Sequence, residues 1–161
     1  MMRSLKIALA ADVLDLVNIR QIVAGATEAL TDGCDTPAMR RLAGLNSNDA
    51  EEARVLLRSA CREAGLENMS HEAAARVYAT AVCREVLEAK TTPEHAARLL
   101  LRVSVTVGDQ FHELDPFVYV AGELDSRPTE RELLTRMAMD AARHWLAEHD
   151  QNASGQPRST L

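Results

Sequence analysis

Three of the five prolines directly follow a threonine or an aspartate, at Thr36-Pro37, Thr92-Pro93 and Asp115-Pro116. Each dipeptide opens a stretch in which apolar residues recur every three or four positions. A threonine or aspartate side chain accepts a hydrogen bond from a free N–H of the first helical turn, and proline suits the first helical position because an N–H there would have no partner. The rest of the chain repeats this punctuation without proline. Asn48 precedes Ala53, Leu56, Leu57, Ala60, Cys61 and Ala64, and Ser70 precedes Ala74, Val77, Tyr78, Ala81, Val82 and Ala89. Gly44, Gly65 and Gly108 stand where the periods end. The spacing predicts an all-α chain: one domain over residues 1–149, a single compact bundle of about six or seven helices in irregular or orthogonal packing.

The first helix is expected from about Leu5 to Ala24. It is apolar round most of its circumference, with Asp12, Asp15 and Asn18 three apart on a narrow polar strip, and Gly25 as its end. So little polar surface suits a central helix. Glu72, Arg76, Thr80, Arg84 and Glu88 form a row at four-residue spacing, expected to face water. Val103-Ser-Val-Thr-Val107 alternates like a strand but has no evident partner, so it reads as the continuation of the helix begun at Pro93. A last helix, about Thr129 to Glu148, places Leu133, Leu134, Met137, Ala138, Ala141 and Trp145 on one inward side. Residues 150–161 carry no apolar period and are expected to be a disordered tail.

At 161 residues the chain can bury a core without disulfides or metals. Its 47% hydrophobic and 26% charged residues exclude a fully disordered protein. Cys34, Cys61 and Cys83 form an odd set with no CxxC spacing, which predicts reduced thiols in a cytoplasm. The apolar run Ile7 to Ala11 ends at Asp12, too short for a signal peptide. Nothing reaches the roughly 18 apolar residues of a membrane span. Lys6 and Lys90 are the only lysines among 18 basic residues, a bias that suggests a GC-rich bacterial genome. The net charge of −6 disfavours nucleic acid and anionic lipid as partners and favours a basic protein.

No motif for chemistry is present. The candidates for a metal are His71 with Glu72, His112 and Glu113 with Asp115, and His144 with Glu148 and His149; a metal-dependent or other small helical enzyme would use His112, Glu113 and Asp115, or His144 and Glu148, but none of these sets makes Glu-x-x-His or His-Glu-x-x-His. There is no Gly-x-Ser-x-Gly and no glycine-rich phosphate loop, so no cofactor is implied. Thr36 to Arg54 reads superficially as helix, turn, helix, the outline of a nucleic-acid binder. Asp49, Glu51 and Glu52 then stand where phosphate would have to approach, and they repel it.

The stretch 109–125 departs from the general pattern. It holds three of the five aromatic residues, Phe111, Phe117 and Tyr119, with five carboxylates, Asp109, Glu113, Asp115, Glu123 and Asp125, and no Lys or Arg. Its rings plug one end of the bundle, or a ring among Phe111 and Tyr119 stays outside, with Glu113, Asp115 and Glu123 as an acidic rim. The resulting expectation is a non-enzymatic cytosolic interaction module, an inhibitor, immunity-like protein or adaptor, acting through an acidic surface on another protein. The sequence sets no oligomeric state.

Overall fold

The computed structural model describes residues 2–46, 49–66, 68–108 and 110–149, and among them all regular structure is helical. The described residues form eight α-helices rather than six or seven: α1 (Arg3–Val13), α2 (Ile19–Thr31), α3 (Pro37–Ala43), α4 (Ala50–Glu63), α5 (His71–Leu87), α6 (Pro93–Val107), α7 (Asp115–Glu123) and α8 (Arg131–His149). Short 3-10 turns, His112–Leu114 and Pro128–Glu130, precede α7 and α8. The chain forms two compact units, Met1–Tyr78 and Ala79–Leu161, with the boundary inside α5. Asp109 and the expected tail, 150–161, lie outside the described residues.

Capping chemistry sets most helix starts. Thr36 Oγ1 accepts from Met39 N at 3.2 Å, Thr92 Oγ1 from His95 N at 3.1 Å and Ser70 Oγ from Ala73 N at 3.1 Å. A second free N–H of α3, that of Ala38, donates to Glu63 Oε2 of α4 at 3.1 Å, so a long-range contact completes a local cap. Two starts differ from expectation. Asp49 caps α4, its Oδ1 accepting from Glu51 N and Glu52 N at 2.9 and 3.2 Å, while Asn48 lies outside the described residues. Asp115 is not a cap, because the preceding 3-10 turn runs straight into α7 and Asp115 already has helical backbone angles.

The expected helix from Leu5 to Ala24 is two helices. Asp15 takes a left-handed backbone, φ 55°, and Asn18 caps α2 by accepting from Gln21 N at 2.9 Å. Asp12, Asp15 and Asn18 therefore form a corner rather than a surface strip. The Asp12 side chain is only 3% exposed; it accepts from Arg58 Nε at 2.9 Å and lies 3.5 Å from Arg54 Nε, while Asp15 pairs with Arg54. Two of these side chains, Asp12 and Asp15, tie the corner to α4, while Asn18 starts α2. α2 also passes through Gly25, which is buried. A Cβ there would lie 3.2 Å from the Ser4 carbonyl oxygen, so this glycine marks a close approach of α1 to α2, not a helix end. The core of this unit interleaves Leu5, Ile22, Met39, Leu42 and Leu57 with alanines such as Ala8, Ala26 and Ala60.

α5 ends earlier than its pattern suggested. Ala89, expected inward, is exposed with φ 55°, and Arg76, Thr80 and Arg84 in the expected solvated row are half-buried. The strand-like stretch 103–107 is helical, as the end of α6. α6, α7 and α8 pack on one another around Ala97, Val120, Leu124, Leu134 and Ala138.

Glu94, in the first turn of α6, ties the start of α8 to it. Its carboxylate accepts from Arg131 Nε and NH2 at 2.7 and 2.6 Å and from Thr135 Oγ1 at 3.0 Å. The bond to Arg131 holds the Glu94 carboxyl below its usual 4.5. A carboxyl with a depressed folded-state value contributes stability that is complete above the unfolded value and is lost as pH falls through the folded one. Urea melts between about pH 5 and 3 should therefore show a smaller acid-induced loss in Glu94→Gln than in the parent. Identical slopes in the two proteins would mean that the bridge adds nothing.

Candidate functional site

α8 carries two apolar stripes, not one. Leu134, Ala138, Ala142 and Trp145 are buried, whereas Leu133 and Met137, expected inward, are 47% and 40% exposed. The two sets are offset by one position, about 100° round a helix, so both cannot face the core. The packed stripe is the one that contains tryptophan. Its indole Nε1–H donates to Thr80 Oγ1 at 3.0 Å, and its ring stacks on the His149 imidazole with centroids 3.9 Å apart and planes 9° apart.

Beside the exposed stripe an open groove of about 400 Å³ runs between α7 and α8. Glu113, Pro116 and Phe117 line one side; Met137, Asp140, Ala141, His144, Trp145, Glu148 and His149 line the other. The fold thus joins residues from two of the candidate sets, Glu113 from one and His144 with Glu148 from the other. Three- and four-residue steps put Pro116, Tyr119 and Glu123 on one side of α7, and Leu133, Met137, Ala141, His144 and Glu148 on one side of α8. Phe111 and Phe117 are buried, so two rings of the unusual segment plug the core and Tyr119, 47% exposed, stays outside.

The carboxylates differ in their partners. Arg127 Nε lies 2.7 Å from Glu123, and Arg98 donates to Asp125 at 2.7 and 3.2 Å, which holds the Asp125 carboxyl below its usual value. Arginines outside the segment therefore neutralise its far end. Nearer the groove, Asp115 meets His112 at 3.3 Å, Glu113 meets His149 at 3.4 Å and Glu148 meets His144 at 3.4 Å; Asp140 meets Arg143 at 2.8 Å. No lysine or arginine is among the described residues lining the groove.

His149 is held on three sides. Nδ1 lies 2.9 Å from the Trp145 carbonyl oxygen, Nε2 lies 3.4 Å from Glu113 Oε2, and the ring face rests on the Trp145 indole. Among the described residues no three His, Cys, Asp or Glu side chains lie where one metal ion could be held. Burial pushes the Cys61 and Cys83 thiols up to about 12, which keeps them in the unreactive protonated form. Among the described residues no helix is long and apolar enough to cross a membrane.

Met137 and Asp140 escaped the sequence reading as site residues. The signal that could have found them was the doubling of the α8 pattern, because a helix with more apolar positions than one face can hold must expose some of them. No protein-family model matches the chain, and no match was found among curated proteins or solved structures.

Proposed function

We propose that the protein is a non-enzymatic interaction module of the cytosol, an inhibitor, immunity-like protein or adaptor, that binds a basic protein through the α7–α8 face. One observation carries this reading. Among the described residues six large apolar side chains stand exposed; Met137 lines the groove, Leu133 shares its side of α8, and Tyr119 shares a side of α7 with the groove-lining Pro116, while Glu113, Asp140 and Glu148 are in the groove lining itself. Exposed aromatic and methionine side chains with a polar rim have the anatomy of a binding surface. The carboxylates add steering toward positive charge, which acts mainly on the rate of encounter.

The test is affinity capture followed by association kinetics across ionic strengths, comparing the parent with the triple variant Glu113→Gln, Asp115→Asn, Glu148→Gln. The variant should associate at least several-fold more slowly at low salt and show a shallower salt dependence, with its folding intact. An unchanged on-rate and salt slope would remove the face from the interface.

A further inference from the structure

The same face has the form of a seat for a helix. We propose that the partner docks an amphipathic α-helix along the α7–α8 groove, with its apolar side on Leu133, Met137 and Ala141 and its basic residues at the carboxylates on either wall. This assignment rests on the interaction-module reading and adds to it the secondary structure and charge of the bound segment.

Three observations select that occupant. First, the face follows a helix axis: Leu133 to Glu148 spans about 22 Å at ~1.5 Å per residue, the length of roughly four turns of a bound helix. Among the described residues there is no strand, hence no sheet edge on which an extended segment could add. Second, the groove lining sets Ala141 and Met137 of α8 together with the rings of Phe117 and Trp145. A small residue there leaves room for a large apolar side chain, and a methionine beside it adapts to its shape. Third, carboxylates stand on both walls, Glu113 on one and Asp140 and Glu148 on the other, and no described lining residue is a lysine or arginine. A second copy of the chain would bring the same carboxylates opposite one another in a two-fold contact, which like-charge repulsion opposes.

Trp145 is the only tryptophan and lines the groove, so its fluorescence reports occupancy directly. The probe is a synthetic peptide of about 18 residues made of Leu, Lys and Ala, with leucines at helical spacing. A scrambled peptide of the same composition and a version with Glu for Lys serve as comparisons. The expected result is a saturable one-to-one change in Trp145 emission with the patterned basic peptide. Affinity should fall about tenfold or more with Met137→Glu, with the scrambled peptide and with the acidic peptide. Leu133→Ser with Met137→Ser adds no charge and should weaken binding in the same direction; circular dichroism checks that both variants fold.

Equal binding by the scrambled peptide would reduce the effect to charge alone, and binding indifferent to Met137→Glu and to the serine pair would put the peptide elsewhere; either result overturns the helical seat. If the patterned peptide fails while a captured protein still depends on Glu113, Asp115 and Glu148, the helical occupant is wrong and the interaction module stands. If capture ignores those carboxylates, the interaction reading falls with it.

Discussion

Replacing Arg54 and Arg58 together by alanine is expected to destabilise the protein by about 3–5 kcal/mol, whereas Asp12→Ala should cost only about 1–2 kcal/mol. The asymmetry follows from where each charge stands. The Asp12 side chain is 3% exposed, and its Oδ1 has no hydrogen-bond partner, being 3.5 Å from Arg54 Nε. Without both guanidiniums a carboxylate stays buried with no countercharge. In the reverse case Arg58, 56% exposed, and Arg54 turn to water, and alanine in α1 regains about 0.5 kcal/mol of helix propensity. Asp12→Ala in the double-variant background should therefore recover most of the loss. Chemical denaturation of the four proteins tests this cycle, and a double variant no less stable than Asp12→Ala would show that the buried carboxylate is solvated in solution.

Trp145→Ala should lower stability by about 3–5 kcal/mol, the range for deleting a large buried aromatic side chain. The ring is 4% exposed, belongs to the packed stripe of α8 and supports the stacked His149. Trp145→Phe keeps most of the apolar contact but removes the hydrogen bond from the indole to Thr80 Oγ1, so about 1–2 kcal/mol is expected. Circular dichroism in urea reads both variants. A loss below about 0.5 kcal/mol for alanine, the level of an ordinary surface change, would contradict the burial described for this ring.

Where a helix begins or ends through chemistry within a few residues, the sequence was readable. Thr36, Ser70 and Thr92 cap as their side chains allow, and helix content in 103–107 followed from the absence of a partner strand. What failed depended on distant residues. Asp12, Asp15 and Asn18 at three-residue spacing suit a helical strip as well as a corner; the arginines of α4 are drawn onto that corner from some forty positions away. Gly25 looked like a terminator because its short contact with Ser4 joins segments far apart in the chain. On α8 each of the two stripes is a valid inward face by period alone. The neighbours α5 and α7 decide between them, by accepting the Trp145 indole and packing on Leu134 and Ala138.

The acidic segment was legible as composition but not as electrostatics. Its lack of lysine and arginine held true along the chain, yet Arg98 and Arg127 approach its far end in space. On the groove side Glu113 is joined by Glu148 and by Asp140 with its partner Arg143, all of α8, which no count over 109–125 could include.

The division of the chain at Tyr78 bears on how the protein comes off the ribosome. Every residue of the first core, from Leu5 to Cys61, together with the Leu66 and Met69 side chains packed on it, precedes that boundary. The contacts described within this core, including those of the Asp12 corner, all join residues encoded before that boundary. Chains emerge at about 5–20 residues per second, slowly compared with the closing of local helical contacts, so burial in the amino-terminal half can be complete while α8 is still untranslated.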